Sequence, residues 1–201
     1  MNPVTAIVSR LRVNVRGTLA LAKRRNAVCQ SGRRRAIRGC RPEKSDGVAM
    51  SLESVRTFFA EHAPDIEVLV TEASSATVAL AAEAHGVMPA QIAKTICLRV
   101  GDETMLVVTS GTARLDNRKF KDRLGGKPRM LDAEQVLAAT SHPPGGVCPF
   151  GLPSPLPVYC DESLRAFDEV VPAAGATNAA VRITPQRMAD LVGAEWVDVC
   201  Q

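Results

Sequence analysis

Ile92-Ala-Lys-Thr-Ile-Cys-Leu-Arg-Val100, then Gly101-Asp102, then Met105-Leu-Val-Val-Thr109 is the stretch on which the fold turns. Both runs are rich in β-branched and aliphatic residues, and the short Gly-Asp step between them is of the kind that joins antiparallel strands. A hairpin is therefore the expected centre of the domain. Upstream, Thr77 to His85 reads as an alanine-rich helix ended by Gly86, and Ile66 to Val70 reads as a short strand. Leu52, Val55, Phe58 and Phe59 follow helical spacing, which predicts a first helix with Ser51 as N-cap and Pro64 as stop.

Downstream, Asp116–Leu124, closed by Gly125-Gly126, and Asp132–Ala139, with an Asp N-cap, read as two helices that cover a sheet. Val158–Cys160, Glu169–Val171, Ala180–Ile183 and Trp196–Val199 read as strands, and Thr184-Pro185 supplies N-cap and N1 of a last helix. Hairpin and crossover connections both occur. The expected class is α/β, of the α+β kind, with a mixed, largely antiparallel sheet or barrel-like core under helices.

Charge divides the chain at about residue 50. Residues 1–49 carry twelve Lys or Arg against Glu43 and Asp46, whereas 50–201 carry thirteen basic and nineteen acidic residues. A segment so basic has too little apolar surface to fold alone. Residues 1–49 are read as a disordered leader or an upstream start-site artefact, with a basic arm on RNA or an Arg-rich targeting peptide as the functional alternatives. The domain is assigned to 50–201. Aromatics make up only 3% of the chain, so the core is expected to be aliphatic. No run approaches the roughly 18 apolar residues of a membrane span, and a cytoplasmic protein with no membrane partner is expected.

The six cysteines show no C-x-x-C pair, which argues against a zinc or redox motif; Cys97 and Cys160 fit buried, reduced thiols. No metal site is assigned. His62 and His85 fall at helix ends, where solvated or dipole-pairing roles are ordinary.

Between Ser141 and Pro157 the density of proline and glycine fixes an irregular, rigid loop. In His142-Pro-Pro-Gly-Gly-Val-Cys-Pro-Phe-Gly151, glycines allow a ligand near the backbone, so the peptide N–H groups are candidates for an oxyanion hole; a purely structural turn weighs equally. Lys94 interrupts an apolar strand and invites a phosphate or carboxylate, against the alternative of a lysine snorkelling to the outer face. Cys148 with His142 suggests a thiolate nucleophile, although a cysteine that lines a pocket is the preferred reading. Ala173-Ala-Gly-Ala-Thr-Asn178 is a small-residue turn that leaves space beside a ligand, and Asp116, Arg118 and Lys119 form a solvated face or a basic rim.

Taken together, Ala93-Lys94-Thr95, Leu115-Asp116 with Lys119, Gly145 to Gly151, and Gly175 with Asn178 resemble the YbaK/EbsC family over roughly residues 52–199. That family shares its domain with the editing insertion of bacterial prolyl-tRNA synthetases. The resemblance implies a deacylase that clears mischarged aminoacyl-tRNA, such as tRNA(Pro) carrying a small amino acid, without metal or cofactor. It implies that Lys94 holds the 3′ end and that Gly145, Gly146, Val147, Cys148 and Pro149 cradle the aminoacyl carbonyl. Thr95, Phe150, Gly151, Gly175 and Asn178 then join the substrate-binding set. Water or a ribose hydroxyl attacks in that family, and the residue before the loop proline varies, which counts against Cys148 as an obligatory nucleophile.

Relative to the family, Pro172–Asn178 is rich in alanine, and Ala173, Ala174, Ala176 and Ala179 suggest a pocket that selects by size. Two other readings stand beside this one. They are a non-catalytic nucleic-acid-binding or regulatory module, and a cysteine-dependent acyl hydrolase. Aminoacyl-tRNA is the expected partner, with a synthetase as a candidate second partner because the acidic domain's field opposes phosphates.

Overall fold

The computed structural model describes residues 46–201, with side chains from residue 51 onward. The reading of the leader up to residue 45 therefore lies outside the described residues. The hairpin predicted at the centre is present: β2 (Ile92–Val100) and β3 (Glu103–Ser110) pair antiparallel from Ala93↔Ser110 to Val100↔Glu103. The sheet grows from it in the order β4-β2-β3-β5-β8, with β4 spanning Arg129–Met130, β5 Val158–Asp161 and β8 Glu195–Val197.

The hairpin and the β2–β4 ladder are antiparallel, while β3–β5 and β5–β8 run parallel, so the sheet is mixed and mostly antiparallel. A further short strand, β6 (Val171–Pro172), pairs parallel with the start of β2. Leu69–Val70 (β1) and Ala179–Ala180 (β7) form a separate two-stranded ladder. The sequence predicted longer strands here; the run from Ile66 shrinks to two residues, and the run from Ala180 passes into isolated bridges such as Val170↔Ile183.

The sheet is buried on both faces, which explains why Met105 to Val108 is continuously apolar rather than alternating. Leu106 and Val108 pack with Val55 and Phe59 of α1 (Asp46–His62) and Met188 of α5 (Pro185–Val192). Their neighbours Met105 and Val107 pack with Phe120 of α3 (Asn117–Leu124) on the opposite face. The two-residue period of a strand sends each pair to its own layer. Three fully buried phenylalanines, Phe59, Phe120 and Phe150, supplement an otherwise aliphatic core.

The helix signals are confirmed at four of five starts. Thr77, Asp116, Asp132 and Thr184 each accept a backbone N–H from the first turn of α2 (Val78–His85), α3, α4 (Ala133–Thr140) and α5. The exception is Ser51. The first helix already runs from Asp46, and Ser51, 1% exposed, donates its Oγ hydrogen to the Gly175 carbonyl at 2.7 Å. The residue read as a cap is instead an interior tether between α1 and the turn after β6. No helix among the described residues is long and apolar enough to cross a membrane.

Candidate active site

One edge of β2 is occupied by β3 from Ala93 to Val100, but the other is divided. β6 takes Ile92 and Ala93, β4 takes Leu98 and Arg99, and Lys94 to Cys97 have no strand partner on that side. Both flanking strands are stopped by their sequence: Pro172 has no N–H with which to extend β6, and Asp132 caps a helix directly after β4. The register also fixes which peptide groups face the gap. Opposite Ala93 and Cys97, the N–H groups of Ser110 and Leu106 donate away from β2, to Ser163 Oγ and Pro157 O. Antiparallel pairing alternates, so the main chain of Thr95 points into the open edge. Its Oγ1 is buried with no hydrogen-bond partner among the described residues.

At this gap lies a cavity of about 120 Å³. α2 contributes Val78 and Ala81, β2 contributes Ala93, Lys94 and Thr95, and the segment around β6 and β7 contributes Ala173, Ala179 and Ala180. Gly145 and Val147 close it from the long loop. The walls are small and apolar, with polar groups confined to the Lys94–Thr95 side and the Ser75–Thr77 segment.

Lys94 is held rather than free. Its Nζ donates to the Ala113 carbonyl at 3.0 Å and the Gly111 carbonyl at 3.5 Å, which leaves one of three ammonium hydrogens unassigned. The turn that supplies these carbonyls depends on Gly111, where a Cβ would stand 2.2 Å from the Pro89 oxygen.

The loop 141–157 is braced from inside. Ser141 takes a left-handed φ of 59°, and Gly145 a φ of 86°, which only glycine adopts at little cost. The amide of Gly146 donates to the Pro143 carbonyl at 2.9 Å, and that of Cys148 donates to His142 Nδ1 at 3.3 Å. These two N–H groups are consumed by the loop itself, and the loop residues that line the cavity are Gly145 and Val147.

His142 and Cys148 do come together, with Sγ 3.6 Å from Nδ1, and both are fully buried. Burial governs their chemistry. It pulls the His142 pKa down to about 4 and pushes the Cys148 thiol up to about 12. Nδ1 accepts from the Cys148 amide, which places the ring hydrogen on Nε2, a buried atom with no partner among the described residues. A thiol of this kind is not a nucleophile at neutral pH. The cysteine is also not a pocket wall, as the sequence suggested, but part of the core.

The other sequence candidates separate clearly. Lys94, Thr95, Gly145 and Val147 meet at the cavity. Gly146 and Cys148 lie behind it, Gly146 against the Ala176 backbone. Phe150 packs in the core against Phe58 and Phe59, and Pro149 and Gly151 line a different depression beside Leu156. Gly175 supports α1 through Ser51, while Asn178 donates Nδ2 to the Thr71 carbonyl at 2.9 Å and so joins the β1 and β7 segments. Of the alanines expected to shape a pocket, Ala173 and Ala179 line it, and Ala174 and Ala176 are buried in the core. Sequence reasoning missed the Ser75–Ala81 wall. Its signal was the small-residue run Ala73-Ser-Ser-Ala76 ahead of the Thr77 cap, read only as a helix start. Among the described residues no group of three His, Cys, Asp or Glu side chains is placed to hold a metal ion.

Fold and site together define a mixed α/β domain with a small cavity set against a half-buried lysine and the Gly145 and Val147 residues of a braced loop. The chain belongs to the aminoacyl-tRNA editing domain family, whose profile matches residues 72–191. It is 44% identical over 154 residues to the uncharacterized protein YwhH of Bacillus subtilis (strain 168), covering 76% of this chain and 98% of that protein. A solved structure described as a candidate trans-editing enzyme for prolyl tRNA synthetase superposes with a TM-score of 0.71 at 33% identity, covering 75% of this chain and 97% of the other. The proline–tRNA ligase of Shouchella clausii (strain KSM-K16) is 33% identical over 102 residues, which is 50% of this chain and 18% of the ligase.

Proposed function

We propose that the protein hydrolyses the ester bond of tRNA mischarged with a small amino acid, and that the amino acid side chain enters the cavity beside Lys94. The carrying observation is the cavity's size and place. At about 120 Å³ it is smaller than the ~150 Å³ apolar cavity that accepts benzene, so an alanine- or serine-sized side chain fits and a large one does not. Selection is by exclusion, because an apolar pocket gains only about 1–3 kcal/mol per methylene.

With the side chain seated, the ester carbonyl lies by the peptide groups of Gly145 and Val147, and the Lys94 ammonium offers its remaining hydrogen to the 3′-terminal ribose or phosphate. A water oxygen adds to the carbonyl carbon, and peptide N–H groups oriented beforehand stabilise the oxyanion. The carbon–oxygen ester bond then breaks. The departing ribose oxygen takes up the proton that the water gives up, and free amino acid and tRNA leave. The cavity wall carries no carboxylate or imidazole, so positioning and electrostatics supply the rate.

Incubation of the full chain with a panel of aminoacyl-tRNAs, including tRNA(Pro) charged with alanine, cysteine, serine or threonine, tests the reading. Selective ester loss from one small species is expected, and Lys94→Ala is expected to abolish it while leaving the circular dichroism spectrum intact. Uniform stability of the panel with folded protein overturns the proposal in favour of a non-catalytic binding module.

A further inference from the structure

The ring of His142 is fully buried inside the loop, yet it takes no part in the reaction described above. Its main-chain N–H donates to Thr140 Oγ1 at 3.1 Å, and that hydroxyl donates to the Val136 carbonyl at 2.7 Å, so the residue is wired to the C-terminal end of α4. Its Nδ1 accepts the Cys148 amide at 3.3 Å. We infer that His142 is a positioning residue for deacylation: by holding the inner end of the Val147–Cys148 peptide, it turns the main chain of Val147 towards the substrate. The inference rests on the function proposed above.

A trans peptide unit points its N–H and C=O in opposite directions. The Cys148 N–H is aimed at the buried ring, so the Val147 carbonyl is directed away from it. On the other side of Val147, the Gly175 amide donates to the Gly146 carbonyl at 3.1 Å, so the Val147 N–H is directed away from Gly175. His142, Gly146, Cys148 and Gly175 are all buried, whereas Val147 is half-buried and lines the cavity. Neither its N–H nor its carbonyl is engaged by a hydrogen bond among the described residues. A donor and an acceptor are thereby presented side by side, the pair that suits the carbonyl oxygen and the α-ammonium group of an aminoacyl ester. The polarity of His142 is what packing alone does not call for. Nε2 is buried with no partner among the described residues, and an apolar side chain of similar volume would avoid that cost. The Cys148 thiol, 3.6 Å from Nδ1, is the titratable group that faces the ring, and it is itself directed to the Phe150 carbonyl at 3.7 Å. No charged side chain among the described residues shifts the imidazole.

The experiment compares the full chain with His142→Leu, which keeps the bulk and removes the acceptor, and with His142→Asn, whose side-chain oxygen stands close to the place of Nδ1. Steady-state deacylation of the aminoacyl-tRNA found to be a substrate is followed from pH 7 to pH 4, with circular dichroism reporting the fold at each step. A kcat lowered roughly tenfold or more, with KM within about twofold, is expected for His142→Leu, and a kcat within about threefold of wild type for His142→Asn. The wild-type rate divided by that of His142→Asn should fall to about half at pH 4, because only the imidazole loses its acceptor on protonation. An unchanged kcat in His142→Leu, or an equal loss in both variants, overturns the inference while the deacylase reading survives. If His142→Leu does not fold, the asparagine variant decides: a kcat near wild type with the fall in the ratio supports the inference, and a constant ratio overturns it. Should the wild-type protein cleave no aminoacyl-tRNA, the deacylase reading fails. The placement of Val147 is then judged by NMR with a stable amide analogue, 3′-deoxy-3′-alanylamino-adenosine. A saturable shift of the Val147 amide in wild type and His142→Asn but not in His142→Leu supports it; the same response in all three, or none, overturns it.

Discussion

Replacing Gly146 by alanine places a methyl group 2.7 Å from the Ala176 carbonyl carbon and 2.9 Å from its nitrogen and Cα. All three atoms are backbone, and Ala176 is 1% exposed, so no side chain can swing aside to make room. The loop must separate from the turn after β6. That movement strains the 3.1 Å bond from the Gly175 amide to the Gly146 carbonyl. Overpacking of this kind costs about 1–3 kcal/mol, and a weakened hydrogen bond adds about 1 kcal/mol. For a domain of this size, roughly 3 kcal/mol corresponds to a fall in Tm on the order of 9 °C. The catalytic effect is expected to be larger. Gly145 and Val147 ride on the same loop, and a displacement of about 1 Å costs on the order of 100-fold in rate. Thermal melts and single-turnover deacylation at 25 °C measure the two effects on one preparation. Gly101→Ala serves as comparison, because its Cβ meets nothing within 4 Å and only its φ of 59° is strained. A Gly146→Ala protein with wild-type Tm and wild-type rate would refute the argument that this contact sets the loop's position.

The buried imidazole makes stability depend on pH in a defined direction. His142 titrates at about 4 when folded against 6.5 when unfolded, so below 6.5 the unfolded chain binds the proton first and stability falls as pH drops towards 4, by about 3 kcal/mol in all. Urea melts at pH 7.5 and 4.5 should show that loss in the wild type and much less of it in His142→Gln; equal wild-type stability at both values would sink the assignment. Cys148→Ala is expected to keep deacylase turnover and lose about 1 kcal/mol of stability, while complete inactivation with the fold retained would restore the thiol as nucleophile. Ala81→Val narrows the acyl cavity from the α2 side. Its kcat/KM should fall more for a serine or threonine ester than for an alanine ester, and a uniform effect across esters would remove the size-exclusion account.

Much of this architecture is written in local signals. The hairpin at Gly101-Asp102 and the caps at Thr77, Asp116, Asp132 and Thr184 involve residues within a few positions of one another, where backbone preference and hydrogen bonding dominate. What escaped depends on distant partners. Ser51 looks like a cap because Ser commonly is one, yet its hydroxyl is satisfied 124 residues away at Gly175. The parallel pairings of β3 with β5 and β5 with β8 leave no periodic trace, and apolar runs such as Glu169–Val171 do not reveal how much of their length will pair. At the site, Lys94 and the Gly145–Val147 segment were legible because a charge in a strand and a proline–glycine loop are both anomalous. Asn178 carried the right chemistry for a ligand and spends it on Thr71. The α2 wall was invisible as a wall, because small residues before a helix cap carry no chemical label.

The interrupted edge of β2 has a consequence for how such a domain diversifies. An unpaired strand edge normally invites addition of another strand, but here the opening is four residues long, about 13 Å at the usual rise, and β4 and β6 stand at either end. It is too short to template a sheet. The polar groups along this edge belong to the polypeptide backbone itself, and among point substitutions only proline removes one of them. Mutations in the surrounding walls can therefore reshape the cavity while the backbone groups of the open edge pass through unaltered.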